Sequence, residues 1–277
     1  MTKLLHAGFQ RLWKDRIFWL ALLVMTVGSL VFSYLTYQTS LTHAEDTIYV
    51  EDLLFNLFPM IGAVSAIFIS LHLGADYDHG TLRNKLIVGH TRSQVYFSNL
   101  VVCFTASVIF LTGMLVFSGG AGYFLFQTFL LPWDQLLFLL LCCFLATAAF
   151  TTLDLALSAA IPSRAFSVVV SIVLFYALLM GAGFLHSALA EAEMTYEYVE
   201  ITMNGVQFGD MVENPAYVDG FQRTLYEFLY DLLPTGQAAS INNLEFDRCS
   251  RWPILSLLVC AVTTLAGWRK FRKKDIK

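Results

Sequence analysis

Six long stretches of this 277-residue chain contain no Asp, Glu, Lys or Arg. They cover residues 17–44, 53–75, 93–133, 135–153, 165–190 and 252–268. A helix needs about 20 mostly apolar residues to cross the hydrocarbon core of a bilayer. Hydrophobic residues make up 57% of the chain and charged residues only 14%, so a soluble domain of this length could not hide its apolar surface. The sequence therefore predicts an all-α membrane protein with six transmembrane helices.

The longest stretch, residues 93–133, has room for two spans, and the basic residues decide between one and two. Both chain ends are basic, and Lys and Arg concentrate on the cytoplasmic side of a membrane, which requires an even number of spans. With six spans, 14 of the 17 basic residues lie inside and 16 of the 21 acidic residues outside. We place the third span at about residues 94–117 and expect the glycine-rich residues 119–122 to end it. Residues 123–133 then form a short apolar segment at the outer face.

The spans divide the chain into four parts. Residues 1–16 are predicted to form an amphipathic interfacial helix, because the apolar residues share one face and the basic and polar residues lie largely opposite. The apolar face carries Leu4, Leu5, Phe9, Leu12 and Trp13. The alternative is a basic flank that only sets the membrane topology. Residues 17–190 contain spans one to five with a cytoplasmic loop at 75–92, residues 191–250 form an extracellular cap, and residues 251–277 contain span six and a basic cytoplasmic tail.

The cytoplasmic loop 75–92 has the pattern of a short helix held between two turns. Gly80 permits a turn, Thr81 can cap the helix, and Gly89 can end it. An apolar stripe on this helix consists of Leu82, Leu86 and Ile87. Thr91 and Gln94 have capping-box spacing and begin span three. The pattern predicts either a docking site for a cytoplasmic partner or an ordinary interfacial helix.

The segment of residues 191–248 is far longer than a connection between two spans requires. Its apolar residues Leu225, Phe228, Leu229 and Leu232 have helical spacing, and we expect them to be buried within a folded cap. The pattern at Asn214-Pro215 and at residues 234–236 predicts turns. The segment carries 11 acidic residues. These acids either attract a cationic substrate or simply reflect the sorting of basic residues to the other side.

Asp154 is the one acidic residue inside an apolar span, and the fourth span continues past it to Ile161. A charge at such a depth is by default a functional hypothesis, such as a proton relay or a substrate contact. The residue also lies close enough to the inner end to pair with Arg164 or His72, and we favour that structural role. Asp154 and His72 together are the candidate intramembrane polar site.

Other chemistry has little support in the sequence. The chain contains no GxxxxGK[ST] phosphate-binding loop, and its six histidines show no metal-ligand spacing. The five cysteines include no CxxC pair and are expected to be packing residues rather than disulfides. We expect no nucleic-acid binding, because the basic residues lie where membrane topology places them.

The cytoplasmic loop resembles that of the permease subunits of type-2 ABC exporters, a superfamily that includes bacterial drug, lantibiotic and polysaccharide exporters. The matching residues run from Asp76 to Leu86 and from Gly89 to Gln94: an acidic residue, a Gly-Thr pair, a basic helix and a Gly-x-x-Arg turn into span three. The resemblance implies that this segment is a coupling helix that docks on an ATPase subunit. Its implied contact residues are Asp76, Asp78, Gly80, Thr81, Leu82, Arg83, Lys85, Leu86, Gly89 and Arg92.

The resemblance also implies the partners and the location. The chain would be a transporter subunit rather than an enzyme, and two permeases, as a homodimer or a heterodimer, would enclose the substrate pathway in the cell membrane of a bacterium. Two separate ABC ATPase subunits would bind ATP and magnesium, and this chain would hold no cofactor of its own.

Two hypotheses that assign the chain to other classes of membrane protein remain open. One is an ion-coupled secondary transporter or channel that uses Asp154, although such transporters often show internal repeats and several buried charges. The other is a membrane sensor with an acidic extracellular cap. An ATPase subunit that co-purifies with this chain would favour the exporter.

Overall fold

The computed structural model describes residues 1–42, 48–196, 199–202, 205–208 and 210–274. Within these residues six helices are long and apolar enough to cross a membrane. They are α2 (Arg16–Thr42), α4 (Met60–Asp78), α6 (Arg92–Leu125), α7 (Trp133–Ala160), α8 (Arg164–Ala190) and α11 (Trp252–Lys273). This confirms the prediction of an all-α membrane protein with six spans.

The shorter elements lie at the two ends of the bundle. At one end, called the basic end here, are α1 (Thr2–Lys14), α5 (Thr81–Ile87) and the C-terminal residues 269–274. At the opposite, acidic end are α3 (Val50–Leu54), α9 (Gly220–Leu232), α10 (Pro234–Asn242) and a 3-10 turn (Cys249–Arg251). Four short strands also lie there: β1 (Met194–Tyr196), β2 (Val199–Thr202), β3 (Gly205–Phe208) and β4 (Met211–Glu213). β1 pairs with β4 and β2 with β3, both antiparallel.

The N-terminal helix α1 is packed onto the bundle. Leu4 and Leu12 are buried in the main core, while Trp13 is half-exposed. Gly8 allows close packing against α6, because a Cβ at this position would lie 2.8 Å from Val102. The predicted amphipathic helix is confirmed, and its apolar face packs on the bundle through Leu4 and Leu12.

Two predicted helix boundaries at the acidic end are wrong. Residues 119–122 do not end span three, since α6 continues to Leu125. Gly119 and Gly122 instead allow α3 to approach α6. A Cβ at Gly119 would lie 2.9 Å from Leu54, and a Cβ at Gly122 would lie 3.1 Å from Val50. Span two begins at Met60 rather than at residue 53, because the chain turns between α3 and α4.

Helix α3 also holds the link between α6 and α7. Glu51 is fully buried, and its carboxylate accepts hydrogen bonds from the backbone N–H groups of Leu130, at 3.1 Å, and Leu131, at 3.0 Å. The backbone N–H of Val50 donates to the carbonyl of Thr128 at 3.0 Å. Residues 126–132 are therefore fixed by a short helix that the sequence pattern did not separate from span two.

The predicted amphipathic helix of the cap is present as α9, but the predicted burial of its stripe is wrong. Leu225, Phe228 and Leu229 are all exposed, whereas Tyr230 and Asp231 on another face are buried. Residues 234–236 form the first turn of α10 rather than a loop, because proline is well suited to the first position of a helix. Most of α10 is buried, so it replaces the stripe as the packing element of this region.

A polar network joins α9, α10 and α11. Asp231 is buried, and its carboxylate accepts a hydrogen bond from Trp252 Nε1 at 3.3 Å and lies 3.5 Å from Arg248 Nε. Burial raises the pKa of Asp231, although the guanidinium of Arg248 opposes the shift. Gln237 Nε2 donates to the backbone carbonyl of Asp231 at 2.7 Å, and Ser256 donates to Gln237 Oε1 at 2.7 Å. The link from α9 to α11 is thereby tied to the bundle.

Replacement of Gly236 by Ala tests this arrangement of α9 and α10. A Cβ at Gly236 would collide with the backbone oxygen of Tyr230, which cannot move without shifting α9. Overpacking of this kind costs about 1–3 kcal/mol, so we expect a lower thermal unfolding temperature in detergent. Gly181→Ala is the control, because a Cβ there meets nothing within 4 Å. Equal melting of the two variants would contradict the close contact.

Candidate functional site

The loop between α4 and α6 contains the predicted short helix, α5. Gly80 and Gly89 flank it with φ of 62° and 98°, values that favour glycine. The capping box is also confirmed, because Thr91 Oγ1 accepts from the N–H of Gln94 at 3.3 Å and Gln94 Oε1 accepts from the N–H of Thr91 at 3.1 Å. The position of α5 is thus fixed by a turn at each end and by the rigid start of α6.

Asp76 is the centre of this site. It lies in the last turn of α4 and is only 1% exposed. Its carboxylate accepts hydrogen bonds from the guanidinium of Arg11, the hydroxyl of Thr81 and the ammonium of Lys85, the last at 3.0 Å. Donors from α1 and α5 therefore meet on one buried carboxylate of α4. The predicted capping role of Thr81 is wrong, because its hydroxyl donates to Asp76 and Gly80 occupies the N-cap position.

A second polar contact fixes the corner between α1 and α2. Asp15 Oδ2 lies 3.0 Å from Nδ1 of His72, and its other oxygen accepts from the N–H of Ile17 at 2.9 Å. Burial opposes ionisation of Asp15, but the hydrogen bonds from His72 and Ile17 hold the pKa of this carboxyl below its usual value. Arg11 Nη2 also donates to the carbonyl of His72 at 2.7 Å. The N-terminal helix is consequently clamped to α4 at two places.

The residues of the predicted apolar stripe on α5 do not share one environment. Leu82 is 2% exposed and belongs to the core, and Leu86 packs against that core. Ile87 and Val88, in contrast, are 71% and 78% exposed. The prediction that Leu82, Leu86 and Ile87 form one docking stripe is therefore wrong. Val88 was missed, although an apolar residue next to Gly89 in a polar loop was a usable signal.

The other predicted coupling residues are either exposed or hold the C-terminal tail. Asp78 and Arg83 are exposed, as is Gly89. Arg92 donates to the backbone carbonyl of Arg272 at 3.0 Å and also to that of Lys274. The C-terminal tail is thereby held beside the start of α6.

Lys274 fastens the tail to the ends of α4 and α7. Its ammonium donates to the hydroxyl of Tyr77 at 3.1 Å and to the carbonyl of Ala159 at 3.0 Å. Burial lowers the pKa of Lys274 to about 8, and the nearby Lys270 contributes to the shift. The basic end of the bundle is therefore a connected surface formed by α1, α5 and the tail.

Asp154 lies apart from this site. It is 3% exposed, and within the described residues its Oδ2 has no hydrogen-bond partner. The predicted pairing with Arg164 or His72 is wrong, because His72 pairs with Asp15 and Arg164 forms no ion pair in the described part of the chain. Asp154 and His72 are therefore not brought together as one polar site. Among the described residues, no group of three His, Cys, Asp or Glu side chains could hold a metal ion.

Asp76→Asn tests the central carboxylate. The variant removes the negative charge that Arg11 and Lys85 share, and a hydrogen bond to a charged group contributes about 1.5–3 kcal/mol. We expect a lower thermal stability and faster backbone hydrogen exchange in α1 and α5. Asp78→Asn removes the same charge two residues later, where the side chain is exposed, and should leave both quantities unchanged. Unaltered exchange in the Asp76 variant would show that α5 is held by other contacts.

Comparison with known proteins identifies the family. No curated protein matches the chain. Residues 4–180 match the family model described as ABC-2 family transporter protein, and this range includes all but the first two residues of α1, the whole of α5 and all the residues bonded to Asp76. The match covers more than half of the chain. The chain therefore belongs to the ABC-2 transporter family and is a membrane-spanning permease subunit of an ABC transporter.

Proposed function

We propose that this permease is an exporter subunit, that two permeases form the substrate pathway, and that loop 76–92 couples each to a separate ATPase. The family implies an ABC ATPase partner. The observation that carries the proposal is the structure of α5, which presents Ile87 and Val88 to solvent while Asp76 holds its other side. An exposed apolar tip on a rigid short helix is suited to insertion into a cleft of a partner.

The contacts of α5 explain how movement of the ATPase would reach the spans. A force on α5 acts directly on α4 through Thr81 and Lys85, which both donate to Asp76. Arg11 donates to the same carboxylate of Asp76, so α1 would move together with α4. The capping box at Thr91 joins the other end of the loop to α6. Two spans and the interfacial helix would therefore move with one docked element.

The distribution of charge supports a cytoplasmic location for α5 and both termini. With six spans, 14 of 17 basic residues lie on the side of α1 and α5, as expected for the cytoplasmic side of a cell membrane. ATP and magnesium would bind in the ATPase subunits, which reach the permease from this side. Exposed apolar side chains along α8 would contact lipid or the second permease: Val169, Val173, Tyr176, Met180 and Phe184.

Ile87→Asp is the sharpest test of coupling through α5. The substitution places a charge in the proposed contact, and burial of an unpaired charge is strongly unfavourable. We expect the variant to insert and melt like the unsubstituted permease but to lose co-purification of the ATPase or its coupled ATP hydrolysis. Leu82→Asp would be uninformative, because Leu82 is part of the permease core.

Phe221→Asp provides a matched control for that experiment. Phe221 is also an exposed apolar residue, but it lies in α9 at the acidic end. This variant should retain the ATPase and its activity. If Ile87→Asp also retains both, α5 is not the coupling site.

Asp154→Asn tests the alternative of an ion-coupled transporter. The substitution keeps the size of the side chain and removes its proton. We expect the reconstituted permease–ATPase complex to hydrolyse ATP at a near-normal rate, with no response to an imposed pH gradient. A well-folded Asn variant that loses a gradient-driven proton flux present in the unsubstituted protein would favour ion coupling instead.

A further inference from the structure

A basic pocket lies where α1, α2, α4 and α8 meet at the basic end. Its volume is about 280 Å³, and its walls include Arg11, Lys14, His79 and Arg164. The one acidic side chain in its wall is Asp15, which is already paired with His72. The pocket therefore presents more positive than negative charge to any molecule that enters it.

Several cations at this corner are not neutralised by the protein. Among the described residues, Lys14, Arg16 and Arg164 have no acidic partner. Nε of Arg164 is buried and has no hydrogen-bond acceptor there. Gly74 leaves room for Arg164 to pack against α4, because a Cβ at Gly74 would lie 2.6 Å from Cγ of that side chain. Arg164 as a whole is half-buried and lines the pocket, so its positive charge, which no acidic side chain of the described residues offsets, is available to an anion that enters.

An apolar groove lies beside the basic pocket. It runs between α2 and α4, has a volume of about 280 Å³ and is lined by Leu20, Val24 and Ile67 among others. Ile17 and Leu71 line both the groove and the pocket. The two cavities are therefore neighbours, one lined by cations and the other by apolar side chains, and together they suit a ligand that has both a charged and an apolar part.

Two tryptophans mark the depth of this site in the membrane. Trp13 and Trp19 are half-exposed at the corner between α1 and α2, and Trp19 Nε1 donates to the carbonyl of Trp13 at 3.0 Å. Tryptophan side chains concentrate at the level of lipid headgroups. Lys14 and Arg16 lie between them in the chain, so the basic pocket is at headgroup level and the groove extends toward the hydrocarbon.

We propose that an anionic phospholipid binds at this corner, with its phosphate in the basic pocket and one acyl chain in the groove between α2 and α4. The guanidinium of Arg164 donates to the phosphate oxygens, a geometry that Arg–phosphate pairs favour. Lys14 adds a second positive charge from α1. A bound lipid thus connects the N-terminal helix to the start of α8, two elements that the protein itself joins by no ion pair among its described residues.

Native mass spectrometry of the delipidated full-length protein tests this proposal, with dioleoylphosphatidylglycerol and dioleoylphosphatidylcholine as probes. We expect tighter binding of the anionic lipid. Lys14→Gln and Arg164→Gln should each weaken it about fivefold, the effect of roughly 1 kcal/mol per basic residue near a membrane surface. Arg269→Gln removes an exposed charge elsewhere at the basic end and should have no effect. Lys14 is exposed, so its variant remains informative if the Arg164 variant does not fold.

A second pair of variants tests the groove. Val24→Trp fills it, whereas Val31→Trp alters the same helix two turns away. Only the first should weaken binding of the dioleoyl lipid, and inorganic phosphate should not displace that lipid. Equal binding of the two lipids, equal effects of Lys14→Gln and Arg269→Gln, or displacement by phosphate alone would overturn the proposal. So would loss of a permease dimer in Val24→Trp with unchanged lipid binding, because a second copy would then occupy the groove.

Discussion

The buried carboxylate of Asp76 is the interaction on which the basic end depends. An ionised group with almost no exposure is tolerated only when donors replace its water shell, and here Arg11, Thr81 and Lys85 do so. The donors come from elements on both sides of Asp76 in the chain. The loop that contains α5 is therefore held in one position, as the proposed coupling role requires.

The sequence predicted the number and order of the spans because lipid imposes a long apolar run on every crossing helix. It predicted correctly that Gly89 ends a helix, but wrongly that the glycines at 119–122 do. Gly89 ends α5 with a positive φ, whereas Gly119 and Gly122 lie inside α6 and give α3 room to pack. A single sequence does not distinguish these uses, because the difference lies in a contact with a residue more than 60 positions away.

The candidate site was also predicted only in its local pattern and not in its contacts with distant residues. The loop itself was predicted, because a short helix between two glycines is a local pattern. The direction of its faces was not, since a helix at the membrane surface can turn its apolar side inward or outward. Leu82 packs into the bundle and Ile87 faces solvent. The stripe on α9 was misread for a similar reason: α10 supplies the buried surface, so Leu225 and its neighbours stay exposed.

Arg11 relates the proposed lipid site to the proposed coupling site. Its guanidinium is bonded to Asp76 and also forms part of the wall of the basic pocket. A phosphate in that pocket would compete with Asp76 for the same cation, and Lys85 and Thr81 would then hold the carboxylate with less help from α1. The charge that fixes α5 and the charge that attracts a lipid are therefore not independent. The position of α5 would respond to the composition of the membrane around α1, through electrostatics that act over a few ångströms.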